Sequence, residues 1–168
     1  NAIAVIGFSA GGHLAANLAT SASDDVLAAH GHDPDAVRPN GLMLAYPVIT
    51  SGPLAHRGSF DSLLGGRRND PETLESVSIE HHIDTKTPPV FVWHTVPDEI
   101  VPYENTLMLI DACKKAGVSV EAHLFPQGGH GLSLGTAETA WQGIDGIEPS
   151  MQIWTQLAVA WMRRTFAR

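Results

Sequence analysis

Residues 2–19 read AIAVIGFSAGGHLAANLA and join an apolar run to a run of small and apolar residues through a glycine-rich turn. The first run predicts a β-strand over residues 2–8, and the second predicts a helix over about residues 11–21. A tight turn from strand to helix strains the backbone of its central residue, here Ser9. The Ser9 hydroxyl is then held at the tip of the turn, with the helix N-terminus behind it. This context predicts a nucleophilic serine.

The neighbours of Ser9 fit the same prediction. Gly7 and Gly11 stand two positions on either side of it, and residues without a side chain give a strained turn room. The N–H of Ala10 points at the same place as the Ser9 hydroxyl and can stabilise an oxyanion. A glycine-rich turn of a nucleotide-binding βαβ unit is the alternative, but the glycine spacing is not the dinucleotide fingerprint. No acidic residue follows at a strand end about twenty residues later.

Size and composition narrow the classes of protein. The 168 residues are 43% hydrophobic, enough for one domain with a sizeable core. The formal charge of −8 argues against a nucleic-acid partner, which requires a basic patch. No apolar segment approaches the roughly 18 residues of a membrane span, so no membrane partner is expected. The single cysteine, Cys113, excludes an internal disulfide and is expected to be a small buried group.

Strand and helix patterns alternate along the rest of the chain. Further strands are predicted over residues 41–46, 90–94 and 118–125, and further helices over about 103–116 and 149–166. Strands that are apolar throughout and separated by helices predict an α/β fold, with a parallel sheet flanked by helices.

Two long connections interrupt this alternation, at about residues 22–40 and 51–88. The second contains two predicted short helices, over 59–64 and 71–77. Connections of this length inside a compact domain are usually functional, and these follow the carboxyl ends of strands. We therefore expect one domain over residues 1–168, with a cap-like insertion at about 51–88 that roofs the site.

A serine nucleophile needs a base, and the base needs an orienting carboxylate. Asp98 follows the third predicted strand and precedes a helix. His130 follows the fourth strand, in a loop whose glycines let it project. Glu99 is the main competitor for the role of Asp98, and a helix cap is the other interpretation of Asp98.

Three motifs carry a resemblance to a known family: GFSAGGHL at 7–14, HTVPDEIVP at 94–102 and LFPQGGHG at 124–131. In this order and spacing the chain resembles the esterase branch of the α/β-hydrolase superfamily. Within that branch it is most similar to the acetylesterase and acetylxylan-esterase-like group.

The resemblance implies a role for each residue of the predicted site. Ser9 would be the nucleophile, His130 the general base and then acid, Asp98 the orienting carboxylate, and the Ala10 N–H one oxyanion-hole donor. The expected reaction is the hydrolysis of small esters, acetyl esters first, with no cofactor and no metal. A sugar is one candidate for the alcohol part.

The sequence also departs from this family. The family has about four strands before the nucleophile strand, and a glycine-rich loop among them gives the second oxyanion donor. Neither is found in these residues, so the chain is expected to be the C-terminal part of an α/β-hydrolase fold. The strand over residues 2–8 would then be an exposed apolar edge. We expect a missing N-terminal segment or a second copy of the chain to cover it.

Rival interpretations stay open. A peptidase of the prolyl-oligopeptidase type uses the same order of residues, and an acyltransferase would use the same groups with an acceptor alcohol. A half-domain could also require a partner chain before it is active. No basic-plus-apolar leader opens the given sequence, and a cytoplasmic location is the expectation, with secretion left open.

The remaining histidines are expected to be structural or solvated. His94 lies at a strand end, where lining the pocket is the alternative to the favoured structural role. His13 lies one turn into the first helix. Two groups invite a metal assignment but lack a convincing third ligand: His30 and His32 with Asp33 and Asp35, and the pair His81 and His82.

Overall fold

The structure is a computed structural model, and it describes residues 2–141 and 146–167. In that part of the chain, no helix combines the length and the apolar character that crossing a membrane requires.

The centre of the fold is a four-stranded parallel sheet with the strand order β1-β2-β3-β4. Its strands are β1 Ala4–Phe8, β2 Gly41–Ala45, β3 Val90–Thr95 and β4 Val120–Phe125. Every residue of β2 and β3 is buried, whereas β1 and β4 each have a single buried residue and are otherwise partly or fully exposed. The predicted parallel sheet and α/β class are confirmed.

Seven α-helices flank or connect these strands in the described residues: α1 Ala10–Ala19, α2 Asp24–Ala29, α3 Pro34–Val37, α4 Arg57–Leu64, α5 Pro71–Ser76, α6 Glu104–Ala116 and α7 Trp154–Phe166. The last helix begins later than predicted, because residues 149–151 form a separate 3₁₀ turn. Helices α2 and α3 were not predicted, since they are too short to show a helical period.

Apolar residues bury both faces of the sheet. On one face, the small residues of α1 and the apolar side of α6 pack against β2 and β3. On the other face, Trp154 and Trp161 of α7 pack beneath β2 and β3, with Trp93 stacked on Trp154 at a centroid distance of 5.4 Å. The aromatic stripe of the last helix is therefore core.

The segment after β2 contains the predicted pair of short helices. Asp70 caps α5 by accepting a hydrogen bond from Thr73 N. Phe60 of α4 is buried against Val48 and Val101, and its ring meets that of His13 edge-on. The segment is thus anchored to the loops that follow β2 and β3, while its role as a cap stays a prediction.

Candidate active site

The predicted site residues meet at the carboxyl edge of the sheet. Ser9 directly follows β1, Asp98 follows β3 by three residues and His130 follows β4 by five. Because the strands are parallel, their carboxyl ends lie at the same edge, and the loops that leave them converge.

Ser9 occupies a strained turn. Its backbone has φ 53° and ψ −122°, and residues other than glycine rarely adopt a positive φ. The turn is held because Ser9 N donates to Ala45 O at 3.0 Å, while Ser9 O accepts from Gly12 N at 2.9 Å. The Ser9 hydroxyl makes no capping bond to helix α1, which leaves it available for the loop opposite.

Two glycines make this turn possible, and one of them is not the predicted one. A Cβ on Gly7 would lie 2.3 Å from Gly11 O, so any side chain there collides with backbone. A Cβ on Gly12 would lie 2.9 Å from the Cβ of Pro47. Within the described residues, a Cβ on Gly11 would meet nothing within 4 Å. Within the described residues, Gly7 and Gly12 are thus the glycines of this turn whose Cβ would meet a close neighbour, and the part of Gly11 stays a prediction.

Ser9, His130 and Asp98 form one hydrogen-bonded chain. His130 Nδ1 lies 2.7 Å from Asp98 Oδ2, and His130 Nε2 lies 2.7 Å from Ser9 Oγ. A carboxylate can only accept, so Nδ1 carries the proton and Nε2 is left to accept from the Ser9 hydroxyl. This is the tautomer that a general base at Ser9 requires.

Asp98 is fixed in a buried position. Its side chain is fully shielded from solvent, and its Oδ1 accepts from Ile100 N and Val101 N, both at 2.9 Å. Burial alone would raise the pKa of Asp98. Hydrogen bonds from His130, His94 and Val101 N–H, together with the positive charge that His130 carries when it is protonated, outweigh burial and hold that pKa well below its usual range. Asp98 is thus a carboxylate throughout the neutral range.

His130 projects from a loop with two left-handed glycines. Gly128 has φ 98° and Gly131 has φ 80°, conformations that favour glycine. Thr95 Oγ1 donates to Gly129 O at 3.1 Å and ties this loop to the end of β3. The predicted glycine-flanked histidine loop is confirmed.

Tyr46 is a site residue that the sequence did not reveal. Its ring meets the His130 ring edge-on at a centroid distance of 5.0 Å, and its backbone has φ 39°. The Tyr46 hydroxyl accepts a hydrogen bond from Ser133 N at 3.1 Å, so Tyr46 links the end of β2 to the His130 loop. Burial raises the pKa of Tyr46, which keeps its hydroxyl protonated. Its position directly before Pro47 at a strand end was the available signal.

His94 is buried, as the structural interpretation predicted, but it contacts the candidate site. Its Nε2 lies 2.9 Å from Val101 O and 3.2 Å from Asp98 Oδ2, and its Nδ1 lies 2.8 Å from Thr106 Oγ1. Asp98 Oδ2 therefore has two histidine neighbours, His130 and His94.

The other histidines, the cysteine and the candidate metal ligands named from the sequence do not take part in the hydrogen-bonded chain of Ser9, His130 and Asp98. His13 Nε2 lies 2.8 Å from Val77 O, and burial lowers the pKa of His13. Cys113 is buried on α6, and burial raises the pKa of its thiol to about 11. Among residues 2–141 and 146–167, no three His, Cys, Asp or Glu side chains are placed to hold a metal ion.

A cavity of about 630 Å³ lies beside the turn. Its walls come from α1, α4 and the end of α5, and include Ala10, Phe60 and Val77. Ala10 is the first residue of α1, and the first N–H groups of a helix have no partner within it. The Ala10 N–H is therefore available to an oxyanion at Ser9.

Comparison with known proteins places the chain in a family. A model of the BD-FAE family matches residues 1–112, two thirds of the chain. This chain belongs to the BD-FAE family. Its four-stranded parallel sheet with flanking helices is part of an α/β-hydrolase fold.

Curated relatives of this BD-FAE chain are named as xylan-degrading enzymes. Endo-1,4-beta-xylanase B of Butyrivibrio fibrisolvens is 37% identical over 144 residues, which are 84% of this chain and 22% of the relative. An acetylxylan esterase of Xylanibacter ruminicola is 31% identical over 140 residues, 81% of this chain and 27% of the relative.

A solved structure of an ester hydrolase is also similar to this chain. The crystal structure of an acetyl ester-xyloside bifunctional hydrolase from Caldicellulosiruptor lactoaceticus has a TM-score of 0.77 and 38% identity to this chain. The match covers 96% of this chain and 56% of that one, so the chain spans little more than half of that structure and about a quarter of the curated relatives.

Proposed function

We propose that this chain carries the catalytic triad of a serine carboxylesterase that removes small acyl groups, acetyl first, from carbohydrate esters. The observation that supports it best is the chain of two 2.7 Å hydrogen bonds from Ser9 through His130 to the buried Asp98. The substrate class is supported by the relatives, which include an acetylxylan esterase and an acetyl ester-xyloside hydrolase.

The first half of the reaction transfers the acyl group to Ser9. The Ser9 hydroxyl gives its proton to His130 Nε2 while Oγ attacks the ester carbonyl carbon. The oxygen that becomes negative faces the Ala10 N–H at the start of α1. The tetrahedral intermediate collapses, and His130 Nε2 gives the proton to the departing alcohol.

The second half returns the enzyme to its starting state. A water molecule gives a proton to His130 Nε2 and attacks the acyl carbon on Ser9. When that intermediate collapses, the proton returns to Ser9 Oγ and the carboxylic acid leaves. Throughout, Asp98 holds His130 in the Nδ1–H tautomer and stabilises the imidazolium.

A substrate panel tests this function. We expect the purified chain to hydrolyse p-nitrophenyl acetate and to release acetate from acetylated xylo-oligosaccharides, with both activities abolished in Ser9→Ala. Aminoacyl anilides should not be cleaved. Cleavage of the anilides without acetate release would favour a peptidase instead, and release that survives Ser9→Ala would overturn the proposal.

We infer that the complete site needs polypeptide from outside residues 1–168. In the described residues β1 pairs only with β2, and Ile6 on β1 and Leu14 on α1 are exposed, at 43% and 71%. A cavity of about 390 Å³ lies between them, lined also by Val5 and Leu18. The relatives are longer than this chain, and a strand from such further polypeptide would pair with β1 and cover this apolar surface.

The same polypeptide would complete the oxyanion hole. Ala10 offers one N–H donor, and the second N–H donor would have to come from the further polypeptide beside β1. One donor is worth about 10²–10³ in rate, so we expect the chain alone to be slower than a form that includes this polypeptide.

A further inference from the structure

We propose that His94 is a positioning residue that orients Asp98 for its contact with His130, so that two histidines act on one carboxylate oxygen. The proposal rests on the proposed esterase function for its kinetic readout and on the geometry of the described residues for everything else. His94 lies on β3, four residues before Asp98, and its side chain is fully buried.

The hydrogen bonds fix the proton on His94. Both neighbours of Nε2, Val101 O at 2.9 Å and Asp98 Oδ2 at 3.2 Å, can only accept, so Nε2 carries a proton that the two oxygens share. Thr106 Oγ1, 2.8 Å from Nδ1, is a hydroxyl that can donate to the other ring nitrogen. Thr106 on α6 can thus satisfy the other nitrogen of the tautomer that the two acceptors at Nε2 select.

This arrangement leaves Asp98 one free hydrogen-bonding direction, which points to His130. Oδ1 is taken by the N–H groups of Ile100 and Val101, both at 2.9 Å. His94 approaches Oδ2 from the protein interior, so the free direction at Oδ2 points to His130 Nδ1 at 2.7 Å. Without His94, His130 would be the only side chain in contact with Oδ2. Nothing else would then hold Oδ2 in the position from which it orients the His130 ring.

A buried histidine with a purely structural role would satisfy its nitrogens with backbone or core hydroxyl groups. His94 does so at Val101 O and at Thr106, but its Nε2–H also reaches the carboxylate oxygen that holds the base. Hydrogen bonds to a charged group are stronger than those between neutral groups, and they lose strength quickly when the geometry relaxes. The contact of His94 Nε2 with Asp98 Oδ2 is therefore the observation that favours a positioning role for His94 over a purely structural one.

The test compares three variants of the whole chain. His94→Gln keeps an amide N–H at the place of Nε2, His94→Leu removes the donor, and Thr106→Val removes the hydroxyl at nearly constant shape. We expect kcat for p-nitrophenyl acetate to fall about 10- to 100-fold in His94→Leu and to stay within about threefold of the parent in His94→Gln. KM should change less than about twofold in each, since His94 does not touch substrate. Thr106→Val, which keeps the ring, is expected to show a smaller fall of about two- to fivefold.

A second readout does not depend on turnover. The proton between His130 Nδ1 and Asp98 gives a strongly downfield proton NMR resonance, which we expect in the parent and in His94→Gln, but broadened or moved upfield in His94→Leu. Leu109→Ala, a core change on α6 one turn after Thr106, is the control for lost stability and should leave the resonance in place.

If the resonance and kcat survive in His94→Leu, or if His94→Gln loses as much as His94→Leu, the proposal is wrong. If His94→Leu does not fold, Thr106→Val and His94→Gln decide: parent kcat and resonance in Thr106→Val would overturn it.

The two proposals fail in different ways. A parent chain that shows the resonance but no Ser9-dependent turnover contradicts the esterase function. A parent that turns over ester, with kcat and resonance indifferent to His94→Leu, contradicts only the role of His94.

Discussion

Ser9, His130 and Asp98 each have one feature that chemistry requires and stability opposes. Ser9 has a positive φ, His130 lies in a loop with two left-handed glycines, and Asp98 is a carboxylate removed from water. Such features persist when the surroundings compensate, and here hydrogen bonds to each residue do so. Strain and burial that converge on one point of the surface support the proposal that this edge of the sheet holds the active site.

The carboxylate assignment gives a direct prediction. Asp98→Asn should lower kcat for p-nitrophenyl acetate about 10³–10⁴-fold, because an amide cannot stabilise the imidazolium that forms on His130. Glu99→Gln is the matched control: Glu99 is adjacent in sequence but exposed, and its variant should stay near parent activity. Steady-state kinetics at neutral pH measure both. An equal loss in the two variants, or a larger one in Glu99→Gln, would make Glu99 the orienting group.

The lowered pKa of Asp98 predicts a pH dependence of stability. A carboxyl whose pKa is lower in the folded than in the unfolded state stabilises the fold above its unfolded value of 3.8, and this contribution is lost as the pH falls toward the folded value. The difference in unfolding free energy between the parent and Asp98→Asn should shrink as the pH falls below about 4. Urea unfolding at pH 5 and at several lower pH values measures it. A difference that grows as the pH falls below about 4 would show that the sign is wrong.

At the scale of elements, the turn between β1 and α1 depends on close backbone contact. Gly7→Ala should destabilise the fold by about 1–3 kcal/mol or more, because its Cβ would collide with Gly11 O. Gly11→Ala is the control on the same turn. Its Cβ meets nothing in the described chain, and alanine favours a helix over glycine by about 1 kcal/mol, so the fold should be unchanged or more stable.

Urea unfolding of the two glycine variants distinguishes these expectations. Comparable losses in both would mean that Gly11 is packed as tightly as Gly7 is. The pair also separates the backbone requirement from the chemistry, since neither glycine contributes a side chain to the reaction.

The sequence predicted the strands after which the proposed catalytic residues lie. The β-strands were recognisable as apolar runs, and Ser9, Asp98 and His130 follow three of them within one to five residues. Tyr46 had one signal, its position before Pro47 at a strand end. Its contact with His130 and the contact of His94 with Asp98 depend on how neighbouring strands and α6 pack, which local pattern does not encode. For the same reason the sequence did not single out the close contact of Gly12 with Pro47.

At the scale of the whole molecule, the sheet has an apolar edge at β1. Ile3 and Ile6 are 67% and 43% exposed there, and an exposed edge strand can pair with another chain. We expect the isolated chain to self-associate in size-exclusion chromatography with light scattering. Ile6→Lys should reduce this association, because a charge on an edge strand opposes pairing.

Val159→Lys is the control for the edge variant. Val159 on α7 is exposed to a similar extent, 41%, but lies away from β1. It should leave self-association unchanged. A clean monomer of the parent chain would contradict the inference that further polypeptide covers the edge. A defined dimer that Ile6→Lys dissociates would instead make a second copy the partner.

Covalent labelling of Ser9 by a fluorophosphonate tests the triad most directly, because the reagent reacts with an activated serine and needs no specific substrate. Labelling of the parent, of Ser9→Ala and of His130→Gln would be followed by intact mass and peptide mass spectrometry. We expect one adduct, on Ser9, in the parent, none in Ser9→Ala, and labelling at least about 100-fold slower in His130→Gln. An unlabelled Ser9 in the folded parent chain, or labelling as fast in His130→Gln as in the parent, would contradict it.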